Sequence, residues 1–253
     1  MTTHTQTVED FVESELAEQA GKPSSALHED LFAQLDAEID ALWQQAREGR
    51  MWKHVTTHGF DRGLYFLVMK QVFHYTSHNA TNQAVAAFRT TPDQLGLLKF
   101  VYEHAREELG HERMVLHDLR AIGLIEKGEV IEDAPLPATD ALIGYLYGVA
   151  LREGPIPRLG YSYWAESVYT HIAPLLDAAR ATLGLTDREM AFFVAHAEID
   201  SKHADEVRHT ITRAVTTPEQ ARDVHRVAVT TLSLTLWLLE QSYEKWVEQK
   251  SAE

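Results

Sequence analysis

The chain has 253 residues, no cysteine and a formal charge of −15, from 38 acidic against 23 basic side chains. That balance argues against nucleic-acid and anionic-membrane partners, which are bound through basic patches. The lack of cysteine excludes disulfides, thiolate metal sites and a cysteine nucleophile, and is compatible with a cytoplasmic location.

Residues 1–27 read as a flexible N-terminal extension with a short helix around residues 8–20, closed by the Gly21-Lys22-Pro23 break. The extension is acidic and holds no apolar segment of the kind a secretory signal needs. Residues 28–250 are expected to form one helical domain. Leu31, Leu35, Ile39 and Leu42 recur at helical spacing. A second helix is expected over residues 63–88. A third opens at Thr91-Pro92, with proline near the first helical position, and runs to Ile122 before Gly123.

A Gly-, Pro- and acid-rich loop covers residues 124–138. A short apolar helix over residues 140–152 ends at Gly154-Pro155, and another follows over residues 159–183. Thr186 and Glu189 have the spacing of a capping box and open the next helix. The last starts at Thr217-Pro218 and ends near Glu248. Its apolar stretch, residues 227–239, is too short to span a bilayer. No strand alternation is present. The expectation is an all-α bundle of about seven helices.

Chemistry concentrates in three of these helices. His196, Asp200 and His203 are offset by four and seven residues, which puts them on one helix stripe about two turns long. Two imidazoles and a carboxylate on one stripe suit a divalent transition metal. Phe192, Val207 and Ile211 turn part of that stripe towards a core, where a carboxylate needs a cation. Glu108 and His111 are three apart and can reach one metal; Glu107 could substitute for Glu108. Gly110 between them would permit close approach of a helix or ligand, at about 1 kcal/mol relative to alanine. Glu166 is the only acid between Glu153 and Asp177, in an aromatic stretch, and needs either a metal or an arginine such as Arg152 or Arg158. His74 and His78 form a further i, i+4 pair, and His104 precedes His111 by seven.

The order of an ExxH pair, a Glu in a Tyr-rich helix and an HxxxDxxH stripe resembles the haem-oxygenase-like di-iron oxidase and oxygenase family, often described as iron-containing redox enzymes. The likeness runs from about Val72 to Ile211. It implies a haem-oxygenase-like bundle holding two Fe(II) ions, or Mn at one site, with O2 as co-substrate. The positions matching the family's ligands are Glu108, His111, Glu166, His196, Asp200 and His203. Several members supply a further Glu from an earlier helix. No acid occurs between Lys70 and Arg89 here, which leaves His74 as a candidate replacement; His104 stands where other members have an additional acid.

The implied function is O2-dependent oxidation of a small organic substrate. Family frequency favours an amine or amino-acid-like compound, with Arg152 and Arg158 as candidate carboxylate binders. The alternatives are fatty-acid oxidative decarboxylation, with residues 227–239 lining an apolar channel, and a metal-free cofactor-synthesis enzyme of the quinone-cofactor synthase type. Tyr145, Tyr147, Tyr161, Tyr163 and Trp164 are candidate pocket residues. A homodimer is among the expected assemblies.

Overall fold

The computed structural model describes residues 25–252, apart from the side chains of residues 198–202. The short helix expected over residues 8–20 lies outside the described residues. Ten α-helices and no strand occur among the described residues: α1 Ala26–Arg47, α2 Arg50–His58, α3 Arg62–Ala86, α4 Leu95–Glu107, α5 His111–Ala121, α6 Pro137–Arg152, α7 Pro155–Ala165, α8 Tyr169–Leu183, α9 Ala191–Ala214 and α10 Pro218–Ala252. The fold is all-α, as expected. The higher count has a simple origin. Two expected helices are each divided, and α2 is additional.

Apolar spacing decides which faces meet. Leu31, Leu35, Ile39 and Trp43 put the buried stripe of α1 against α10. Val224, Val227, Ala228, Thr231 and Leu232 bury the facing stripe of α10, which also packs on α3, α6 and α7. Residues 155–164 of α7 are all buried, so this is the innermost helix. Gly160 allows its approach to α10. A Cβ there would lie 2.1 Å from the Val224 carbonyl oxygen, in contact with backbone that cannot rotate away. Trp164 Nε1 then donates to Thr231 Oγ1 at 2.9 Å, fixing the register of the pair.

The two divisions place functional groups. The helix expected to run from Thr91 to Ile122 stops at Glu107. Glu108 is its C-cap residue, and α5 begins after Gly110, whose φ is +92°. That left-handed conformation is what glycine supplies here. The expected close approach to Gly110 is not found, since nothing lies within 4 Å of a Cβ built there. The helix expected over residues 159–183 starts earlier, at Pro155, and breaks at residues 166–168, with Glu166 as the C-cap residue of α7. Thr186 and Glu189 do bond to each other, but they form a turn, and α9 starts later at Ala191. Buried Asp118 of α5 accepts from the Ala191 and Phe192 amides at 3.1 and 2.9 Å, capping α9 from outside its own sequence.

Candidate metal centre

The C-cap positions of Glu108 and Glu166 carry an electrostatic demand. Each carboxylate sits beside the negative end of its own helix dipole, and each is buried. Such groups stay ionised only with cationic partners close by.

Two groups of side chains converge there. In one, His104, Glu108, Glu166 and His203 each present a ligand atom, all within 4.8 Å of one another. In the other, Glu108, His111 and His196 do the same. Glu108 belongs to both. His203 Nδ1 is 3.3 Å from Glu166 Oε2, and its Nε2 is 3.1 Å from Glu107 Oε2. His111 Nδ1 is 3.2 Å from Glu108 Oε2, and 3.0 Å from His196 Nε2. A third group, Glu107, His203 and Glu206, opens towards the surface.

The hydrogen bonds on the outer side of the rings orient them. His196 Nδ1 lies 2.6 Å from the Phe192 carbonyl, which can only accept, so the ring proton is on Nδ1 and Nε2 presents its lone pair inward. His104 Nδ1 lies 2.9 Å from Gln83 Oε1, which likewise draws the proton to Nδ1. Its Nε2 is then buried, 3.0 Å from Glu166 Oε1, and makes no hydrogen bond. In the neutral ring with its proton on Nδ1, a lone pair faces the carboxylate oxygen, and a cation there, either a second proton on the ring or a metal ion, makes the pairing attractive. Imidazole and carboxylate together are the donor set of Fe and Mn sites. The residues present therefore fit a metal.

Charge follows the same geometry. Burial opposes ionisation of Glu166, but His104 and His203 beside it hold its pKa at about 2. Burial opposes Glu108 too, and His111 keeps it below the usual carboxylate range. Contact with Glu108 raises His111, and contact with Glu166 raises His203. Burial depresses His196.

Of the expected ligands, Glu108, His111, Glu166, His196 and His203 are brought together, and His104 joins them. The backbone of α9 places Asp200 between His196 and His203, but its side chain lies outside the described residues. His74 joins none of the metal-capable groups among the described residues; Lys70 and Asp133 are its charged neighbours. His78 meets Tyr147 instead, Nδ1 to hydroxyl at 3.1 Å.

What α3 contributes is a pair of amides. Asn79 Nδ2 donates to Glu108 Oε2 at 2.7 Å, and Gln83 accepts from His104. Their i, i+4 spacing in the run Asn79-Ala80-Thr81-Asn82-Gln83 was the available sequence signal. Arg158 anchors them. Buried to 4% exposure, it donates to Asn79 Oδ1 at 2.7 Å and Asn82 Oδ1 at 2.5 Å. It faces no carboxylate directly, and burial lowers its pKa to about 10.

An apolar cavity of about 150 Å³ adjoins the cluster. Glu108, Glu166 and His196 lie in its wall with Tyr161 and Trp164, and Leu238 and Leu239 of the apolar α10 stretch also contribute. Tyr145 and Tyr163 point elsewhere, to Arg226 and to Asp36 with Arg208.

Residues 67–235 match the family described as iron-containing redox enzymes. The chain belongs to that family. Among solved structures, this iron-containing redox enzyme is similar to a domain of unknown function with a haem oxygenase-like fold from Shewanella denitrificans OS217, at 36% identity and a TM-score of 0.82, over 88% of this chain and 96% of that one. It also resembles a TenA homologue from P. horikoshii OT3, at 14% identity and a TM-score of 0.66, over 85% and 98% of the two chains. A TenA homolog from Pseudomonas syringae pv. tomato DC3000 gives 12% identity and a TM-score of 0.67, over 85% and 93%. The last two likenesses concern the fold alone. No curated protein matches the chain. No helix among the described residues is long and apolar enough to cross a membrane.

Proposed function

We propose that this chain is an O2-dependent non-haem di-iron oxidase or oxygenase of a small organic molecule. The observation that carries the reading is the sharing of Glu108 by two metal-capable groups. One ion would be held by Glu108, His111 and His196, the other by His104, Glu108, Glu166 and His203; Asp200 is the further ligand that the resemblance implies. When bound, two ferrous ions supply electrons to O2.

The chain's own residues do the rest. Asn79, held by Arg158, donates to Glu108 and limits its rotation. Phe192 fixes the tautomer of His196, and Gln83 that of His104. The apolar cavity excludes water from the reacting side of the cluster.

The cavity also bears on the substrate. No Lys or Arg lines it. Arg152 is exposed and bonds the Gly148 carbonyl of its own helix, while Arg158 is committed to Asn79, Asn82 and Ser162. The acids in the wall are candidate metal ligands. These features support a predominantly apolar substrate over the amino-acid-like compound that family frequency favours.

The test is anaerobic ferrous titration of metal-free protein, followed by rapid mixing with O2. Two equivalents of bound iron and a transient visible band are expected. Binding of fewer than one equivalent, or no transient from a loaded protein, overturns the reading.

A further inference from the structure

His203 faces two ways. Its Nδ1 is 3.3 Å from Glu166 Oε2 in the buried cluster, and its Nε2 is 3.1 Å from Glu107 Oε2 on the other side of the ring. The ring is therefore common to two metal-capable groups. One is the buried group with His104, Glu108 and Glu166, the other an outer group with Glu107 and Glu206. The ligand atoms of the outer group lie within 4.8 Å of one another.

Helix geometry accounts for the division. Glu107 and Glu108 are consecutive at the end of α4, about 100° apart around the helix axis. Glu108 is buried and Glu107 is exposed. Glu206 follows His203 by three on α9, which puts both on one face of that helix. Glu107 and Glu206 line a surface cleft of about 430 Å³ that reaches His104, itself a member of the buried group. Lys99, Arg106 and Arg213 share the lining, so selection of a cation rests on the three-residue group rather than on the charge of the cleft.

One ring proton links the two groups. A neutral imidazole carries it on one nitrogen and offers the lone pair of the other. With a cation at the outer group, Nε2 is the ligand and the Nδ1 proton points to Glu166. With a cation at the buried group, Nδ1 is the ligand and Nε2 donates to Glu107. The ring thus serves one group at a time. The outer group is the weaker of the two, because its exposed carboxylate faces water and the buried carboxylates do not.

We propose that Glu107, His203 and Glu206 form an outer divalent-metal site through which ions enter the buried cluster, His203 handing them from one side of its ring to the other. This rests on the reading that the buried cluster holds metal. Glu107 and Glu206 are loading residues, and neither is a ligand of the resident ions.

The experiment loads the metal-free full chain with Co(II), followed by its visible absorption in stopped flow, and measures equilibrium uptake separately. Neither readout depends on O2 chemistry. A site that lies only on the path changes how fast ions arrive and leaves affinity at the destination alone. In Glu107→Gln and in Glu206→Gln, association at low Co(II) should slow about tenfold, the lower end of the usual loss in metal affinity when a supporting group is removed. Final uptake should stay that of the unsubstituted chain. Both changes keep side-chain shape at positions that are not buried. Glu103→Gln removes another acid of the cleft lining, outside the three-residue group, and should load at the unsubstituted rate. Unchanged association in either loading variant, an equal slowing in Glu103→Gln, or a loss of final uptake in Glu206→Gln would each overturn the entry site while leaving the buried metal site standing. No uptake by the unsubstituted chain would overturn both.

Discussion

Nε2 of His104 stands 3.0 Å from Oε1 of Glu166 without a hydrogen bond between them. His104 Nδ1 bonds Gln83 Oε1, so in the neutral ring the two facing atoms both offer lone pairs. That relationship makes His104 a ligand of the proposed second ion. In His104→Ala, ferrous titration should saturate near one equivalent, and in His111→Ala near one equivalent as well, each variant losing a different ion. Two undiminished equivalents in His104→Ala would remove it from the ligand set.

Arg158 supports the same cluster from behind. Replacing it with Met leaves the Asn79 and Asn82 carbonyls buried without their donor. Hydrogen bonds to charged groups contribute about 1.5–3 kcal/mol each, so Arg158→Met should destabilise the metal-free protein by about 3 kcal/mol in urea unfolding. Iron affinity should fall too, as Asn79 is freed to turn away from Glu108. A loss below about 1 kcal/mol would mean that water replaces the guanidinium.

Two glycines should answer in opposite directions. Gly160→Ala forces a methyl into the Val224 and Ala228 backbone of α10, and should cost about 3 kcal/mol or prevent folding. Gly144 lies exposed in α6, and a Cβ added to it would meet nothing within 4 Å. Gly144→Ala should stabilise by about 0.5–1 kcal/mol, through helix propensity. Thermal unfolding of both variants provides the comparison.

The buried ion pairs of the metal-free protein predict how stability depends on pH. Glu166 is held at about 2 against an ordinary 4.5, so its contribution is complete above pH 4.5 and disappears as pH falls from there towards 2. His203 is raised above 6.5, so its contribution is complete below pH 6.5 and is lost as pH rises through its folded value. The stability difference between the metal-free protein and its His203→Gln variant should therefore shrink from pH 6 to pH 8. A pH-independent difference would show that the Glu166–His203 pair does not titrate with folding.

Sequence periodicity by itself determined the helical class and which side chains share a helix stripe in most of the metal-capable cluster. Apolar residues at helical spacing can be buried only by packing helix on helix, and a seven-residue offset must put His196 and His203 on one stripe whatever surrounds it. The burial of Glu166 was legible as well, because its neighbours are aromatic or small. Only the tertiary structure decided what depends on how helices meet. It stopped α4 and α7 at Glu108 and Glu166, turning two mid-helix carboxylates into C-caps aimed at one point. It chose His104 over His74, since the inward side of α3 carries Asn79 and Gln83. It sealed Arg158 behind those amides, leaving a cavity wall with no cation. Local spacing sets the direction of a side chain around its own helix axis. The crossing of one helix with the next sets what that side chain finds there.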